Sequence, residues 1–219
     1  MNSYQALSLL RWRRLCLQFG IDDQTAIELE FKRITTAYAE LHRAYHNVQH
    51  INECLDLLDW AMEATPIPWE SRSLLEFALW YHDVVYQPQA PDNERQSADQ
   101  AIAFLQTNGV EIDQIHCVES LIMATCHFIE PEPGEMAKLA GWMLDIDLAI
   151  LGTSAQRFSQ YNEQIRQEYA WVSEQVYRTK RKALLAQFLD RPVIYHWPLF
   201  QERFECQARH NLSTMVSVL

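Results

Sequence analysis

Apolar residues recur at intervals of three and four along most of the chain. Leu55, Leu58 and Met62 do so in one segment, and Leu75, Leu79, His82 and Tyr86 in the next. That spacing is the period of an amphipathic α-helix with one face turned to a core, whereas a half-buried strand would alternate. No segment sustains alternation and no internal repeat appears. Prolines fall in pairs, Pro66/Pro68, Pro88/Pro91, Pro131/Pro133 and Pro192/Pro198. Proline lacks an amide donor and clashes with the preceding helical turn, so each pair marks a loop. The glycines, Gly20, Gly109, Gly134, Gly141 and Gly152, sit at segment edges. The pattern predicts helices near 4–19, 23–41, 46–64, 70–86, 93–107, 112–127, 135–151, 155–175, 177–189 and 199–216. Asp22 or Asp23 suits the cap of the second and Asp92 or Asn93 that of the fifth. No linker is long enough to separate a second domain from the first. The expectation is one all-α domain over residues 1–219, a helical bundle.

Composition narrows the classes. With 48% hydrophobic and 21% charged residues in 219, the chain has the balance of an ordinary globular protein. Charged or amide side chains interrupt every apolar run before the roughly 20 residues a bilayer span needs. Arg11, Arg13 and Arg14 follow a mixed stretch, whereas a secretory leader places its cations first. A cytoplasmic protein without a membrane partner is expected. Eighteen Lys+Arg against 29 Asp+Glu give 18 − 29 = −11, a charge that repels a nucleic-acid duplex. The longest basic run, Lys180-Arg181-Lys182, reads as one solvated helix turn. A small anionic substrate stays compatible, because a metal ion supplies positive charge locally. Cys16, Cys54, Cys117, Cys126 and Cys206 are scattered and form no Cys-x-x-Cys pair. They read as buried thiols of a reducing compartment, neither a disulfide frame nor a thiolate zinc site.

The histidines are placed unevenly. His42, His46 and His50 rise along one stretch, and Cys54, Leu57 and Ala61 share the face of His50, which therefore points inward. His82 and Asp83 end a segment of Leu74, Leu75, Phe77, Ala78, Leu79 and Trp80, apolar nearly all round. Burying a carboxylate unpaired is costly, and a metal cation is one of the few partners that offsets the cost. Asp145 and Asp147 interrupt a third apolar segment, Gly141 to Gly152. Being two apart they lie roughly 200° apart around a helix. One could bind metal while the other caps or orients a neighbour, and the spacing leaves that choice open. Imidazole and carboxylate without thiolate suit a borderline divalent ion.

His50, then His82-Asp83 (82 − 50 = 32 residues on), then Asp147 (147 − 83 = 64 further) resembles the H…HD…D signature of the HD-domain superfamily of metal-dependent phosphohydrolases. The surrounding words are Tyr45-His46-Asn47-x-x-His50-Ile51, Trp80-Tyr81-His82-Asp83-x-Val85-Tyr86, Asn93-Glu94-x-x-Ser97-Ala98, Asp145 to Gly152, Arg166-x-Glu168-Tyr169 and Ala208-Arg209-x-Asn211-Leu212. Together they are similar to the stand-alone bacterial branch of predicted HD phosphohydrolases over about residues 35–213. The resemblance implies His50, His82, Asp83 and Asp147 as metal ligands, the Asp-Leu word favouring Asp147 over Asp145. It implies a divalent ion (Mn, Co, Ni, Fe, Zn or Mg), one per chain being favoured and a second left open, and hydrolysis of a small phosphate ester or a nucleotide.

Two departures stand out. No glutamate follows the His-Asp pair closely, so Glu94 is the nearest substitute for the catalytic carboxylate, alongside Asp83. Of the histidines between the pair and the last Asp, His116 and His127, the latter is better placed to reach the site. Arg43 is a candidate for phosphate, and with His127 makes up the substrate side. Arg166 and Arg209 read rather as structural ion pairs, and Tyr45, Trp80 and Tyr81 as core. A catalytically silent metal-binding sensor and a diiron oxygenase on the same scaffold are the alternatives. Homo-oligomerisation is left open.

Overall fold

The computed structural model describes residues 6–126 and 134–219. Among them there is no strand, in agreement with the all-α expectation. The helices are α1 Leu9–Gln18, α2 Gln24–Tyr38, α3 Val48–Ala64, α4 Trp69–Tyr81, α5 Asn93–Thr107, α6 Ile112–Ala124, α7 Glu135–Leu148, α8 Ala155–Glu168 and α9 Glu174–Leu189. A 3-10 turn, Ala149–Gly152, follows α7. The last helix, α10 Cys206–Val218, is led in by one α-turn at Pro198–Phe200 and a π-turn at Gln201–Glu205. Among the described residues no helix is long and apolar enough to cross a membrane.

Backbone packing divides the chain into two compact units, Met1–Met143 and Leu144–Leu219. In the first, α4 packs against α1, α3, α5 and α6. Packed among these four helices, α4 keeps Leu75, Phe77, Ala78, Leu79, Trp80 and Tyr81 fully buried. Each of the larger side chains among them contributes roughly 1.5–3 kcal/mol by leaving water. Trp12 of α1 lies 5.3 Å from the Trp80 ring and 5.5 Å from Phe77, and its indole donates to the Ile27 carbonyl at 3.1 Å. The aromatic cluster thereby ties α1 and α2 onto α4.

Several boundaries depart from the sequence reading by two to seven residues, and three of them have a visible cause. The α4 helix stops at Tyr81, short of residue 86. Its apolar period runs on because Val84 and Tyr86 are buried as well, yet their backbone finds partners elsewhere. Arg43 donates to the carbonyls of Asp83 and Val84, and the Ser97 hydroxyl accepts from the Val85 amide at 3.0 Å. The α3 helix starts at Val48, not 46, because the Asn47 carboxamide oxygen accepts from the Gln49 amide at 2.8 Å and caps it. The α8 helix ends at Glu168, not 175, where Arg166 collects the carbonyls of Tyr169 and Val172. Asp23, one of the two expected caps, accepts from Thr25 and Ala26 at the start of α2. Asn93 instead closes the 87–90 loop through the Gln87 amide and carbonyl.

In the second unit, α10 packs on α9 and on the 3-10 turn. Gly152 lets the π-turn approach: a Cβ there would sit 2.6 Å from both Cβ and O of Phe204. Arg209 pairs with Glu205 at 2.8 Å and donates to the carbonyls of Leu189, Arg191 and Pro192. Glu205 in turn accepts from the amides of Ile194 and Tyr195. Arg209 and Arg166, whose partner acid is Glu174 at 3.0 Å, are thus structural pins.

Candidate metal centre

Two helices bring the centre of the first unit together. The Asn47 cap sets the register of α3, which turns His50 inward; the ring is 2% exposed. The end of α4 delivers His82, 1% exposed, and the next residue, Asp83, follows in the turn. The Nε2 atoms of His50 and His82 lie 3.1 Å apart. Asp83 Oδ2 lies 3.1 Å from His82 Nε2 and 3.3 Å from His50 Nε2. Three donor atoms from residues 32 positions apart in sequence form a nearly equilateral triangle.

That triangle has the dimensions of a coordination face. First-row divalent ions bind imidazole nitrogen at about 2.0–2.1 Å and carboxylate oxygen at about 2.0–2.2 Å, so neighbouring donors stand about 3.0 Å apart at right angles and about 3.4 Å apart in a tetrahedron. The observed edges fall between these limits. The second layer supports the same direction: His82 Nδ1 lies 2.8 Å from the Leu79 carbonyl oxygen. That bond makes Nδ1 the donor and leaves Nε2 with its lone pair toward the triangle, the orientation used by metal-binding histidines. His50, Cys54 and His82 each also present a ligand atom within 4.8 Å of the others.

Burial works to raise the Asp83 carboxyl, but His82, then His46, and hydrogen bonds from His50 and His82 outweigh it and hold the group well below the usual carboxylate range. The centre therefore carries a half-buried negative charge facing imidazoles. His46 stacks on Tyr86 with ring centres 4.0 Å apart and stands edge-on to His50 at 5.9 Å. Tyr45 covers His50 at 4.7 Å.

The other expected residues sort as follows. Arg43 is buried, and its guanidinium donates to Glu40, to the His46 carbonyl at 3.1 Å, to Asp83 O at 2.5 Å and to Val84 O at 2.9 Å. It holds the Asp83 loop with the fork that the sequence reading offered to phosphate, and that reading is corrected here. Glu94 is half-buried in the first turn of α5, three residues before Ser97, which bonds both the amide and the carbonyl of Val85. Its charge is felt at Cys126, whose thiol is raised first by burial and then by Glu94. His116 is exposed on α6, and His127 lies outside the described residues. Trp80, Tyr81 and Tyr45 are core, as expected.

In the second unit Asp147 is half-buried in the last turn of α7. Asp145 is fully buried and accepts from the His196 amide at 2.8 Å, His196 Nδ1 at 2.9 Å and the Trp197 amide at 2.7 Å. It anchors the loop before the last helix, the orienting role foreseen for one aspartate of the pair.

Sequence reasoning missed Cys54 and His46 as members of the centre. Cys54 was legible as the residue one turn beyond His50 on its buried face. Its sulfur lies 3.8 Å from His50 Nδ1 and 3.9 Å from His50 Nε2. No protein-family model, curated protein or solved structure matches this chain.

Proposed function

We propose that the His50–His82–Asp83 centre holds one divalent metal ion and that the protein is a metal-dependent hydrolase of a small phosphate ester, nucleotides included. The observation that carries the first half is the triangle of donors with edges of 3.1, 3.1 and 3.3 Å, a spacing suited to a cation. The phosphoester chemistry rests on the H…HD…D resemblance. Asp147 enters as the last ligand on that sequence pattern alone. The bonds of Asp145 to His196 and Trp197 support the reading that Asp145 orients a loop and leaves the ligand role to Asp147.

A divalent cation at such a centre supplies Lewis acidity, lowering the pKa of water and polarising a phosphoryl oxygen. The chain's own residues do the rest. His82, oriented by Leu79, and His50, covered by Tyr45, give a rigid donor pair. Asp83 stays ionised and can take a proton from the attacking water at a carboxylate oxygen. Glu94, one turn before the serine that ties down Val85, is the outer carboxylate proposed to position that water.

The test begins with protein purified without chelator, its metal content measured by elemental analysis. A panel of phosphomonoesters and nucleotides is then offered with Mn, Co, Ni, Zn and Mg. Near-stoichiometric metal, metal-dependent release of phosphate, and loss of both in His82→Ala and Asp83→Ala are expected. A folded wild-type chain that binds no divalent ion sinks the metal centre. Bound metal without turnover on any member of the panel sinks the hydrolase.

A further inference from the structure

A cavity of about 480 Å³ opens between α1, the last turns of α3 and the first half of α4. That is within the size range of small-molecule pockets, about 300–1,000 Å³. No residue of the metal centre lines it. Part of its lining is an ion network. Arg11 donates through Nε to Glu76 at 2.7 Å and through Nη1 and Nη2 to Asp59 at 2.7 and 2.9 Å. Arg72 Nη2 donates to Asp59 at 2.7 Å. Two guanidinium groups thus neutralise two carboxylates. Arg14 is a third cation on the same cavity, and among the described residues it has no ion-pair or hydrogen-bond partner. The lining therefore carries 3 − 2 = +1, in a chain of net charge −11. Further donors are left over among the described residues. Arg72 keeps Nε and Nη1, and Gln18, whose Oε1 accepts from the Ser73 hydroxyl at 2.7 Å, keeps its amide Nε2. Beside these donors Trp69 and Leu10 are 59% and 58% exposed, and no described aromatic ring packs on the Trp69 indole.

We propose that this cavity binds a small aromatic monocarboxylate, its ring against Trp69 and Leu10 and its carboxylate on Arg14, with Arg72 and Gln18 as further donors. An indole left in water is a surface that a second ring covers favourably. A guanidinium fork takes both oxygens of one carboxylate, and a hydrogen bond between two charged groups is stronger than a neutral one. Charge selects within the anions. One negative charge matches the net +1 of the lining, whereas a phosphomonoester dianion leaves one charge uncompensated next to Asp59 and Glu76. The site is independent of the metal centre and stands whether or not that centre holds an ion.

Calorimetric titration of the full chain with indole-3-acetate reads the site. Saturable binding in the micromolar to submillimolar range is expected. Acetate, which lacks the ring, and indole, which lacks the charge, should each bind at least about tenfold more weakly. Arg14→Ala and Trp69→Ala remove exposed side chains, so both should keep the wild-type circular dichroism spectrum. Each should weaken indole-3-acetate by roughly tenfold. Arg13 is the neighbouring exposed arginine outside the lining, and Arg13→Ala should leave the affinity at the wild-type value. No binding of indole-3-acetate at millimolar concentration overturns the proposal, as does unchanged affinity in Arg14→Ala or Trp69→Ala. Equal weakening by Arg13→Ala and Arg14→Ala marks a general effect of surface charge and overturns it too. AMP that binds more tightly than indole-3-acetate, and loses that binding in Trp69→Ala, gives the cavity to a phosphate ester instead. Should Arg14→Ala fail to fold, Arg14→Gln carries the same reading.

Discussion

The guanidinium of Arg43 donates to the main-chain carbonyls of Asp83 and Val84, at 2.5 and 2.9 Å, from 40 and 41 residues away. The same group reaches the His46 carbonyl, so one buried side chain fixes the approach to α3 and the exit from α4 together. Cutting Arg43 back to alanine strands these buried carbonyls, each at a cost of about 1–3 kcal/mol. Arg43→Ala should lower stability by several kcal/mol. Arg43→Lys, which keeps charge without the fork, should recover only a fraction of it. If chemical denaturation finds Arg43→Lys as stable as wild type, the fork is not what holds the loop.

Metal affinity should fall as pH falls. Both imidazoles must be unprotonated to lend a lone pair, whereas Asp83, held well below the ordinary carboxylate range, remains ionised throughout. Ordinary imidazoles take up protons near about pH 6.5, so well below that the binding constant should drop by up to roughly a hundredfold per pH unit. Calorimetric titration of zinc between about pH 7.5 and 5.5 reads the slope. A slope of only about tenfold per pH unit would mean that one histidine is a ligand, and a flat profile that neither is.

Glu94→Gln separates chemistry from binding. If Glu94 positions or deprotonates the water, turnover should fall by about 10²–10⁴-fold with metal content and fold near wild type. If it only favours the start of α5 through the helix dipole, the loss is about 0.3–1 kcal/mol of stability and turnover is normal. The measured kcat of the metal-loaded variant decides between them.

Alkaline pH should weaken the first unit. Burial, then the charge of Glu30, pushes the Cys16 thiol up to about 12, and burial likewise raises Tyr38 to about 12. The folded state therefore holds these protons more tightly than the unfolded chain, whose thiol ionises near about 8.5. That stability is fully present below the unfolded value and is lost as pH rises toward the folded one. Cys16 alone should remove up to about 1.4 kcal/mol per pH unit above about pH 9. Urea denaturation should show the decline, and Cys16→Ala should flatten it. Parallel slopes for the two proteins would falsify the assignment.

Gly152→Ala should destabilise the second unit by about 1–3 kcal/mol, because its new methyl group meets Phe204 Cβ and O at 2.6 Å and the π-turn must retreat. Phe204 is itself buried. A thermal midpoint equal to wild type would show that the π-turn yields without cost.

The helices, the inward turn of His50 and the burial of His82 were legible in the chain, because apolar period and proline placement are local properties read within one or two turns. Asp145 and Asp147 could be told apart in orientation but not in role, since an orienting role depends on a loop, His196 and Trp197, about 50 residues distant. The end of α4 was misread for the same reason. Its apolar pattern continues to Tyr86, and only the fork of Arg43 and the hydroxyl of Ser97, arriving from other segments, draw the backbone away. Arg43 likewise looked like a phosphate ligand, because a charge reads the same in sequence whether it faces solvent or is buried against carbonyls. Sequence spacing named two of the triangle's corners by their burial and the third by its place beside them. The 3.1 Å approach of His50 to His82, and the sulfur of Cys54 beside it, exist only once α3 and α4 are packed, because distances between helices are set by the side chains that fill the space between them.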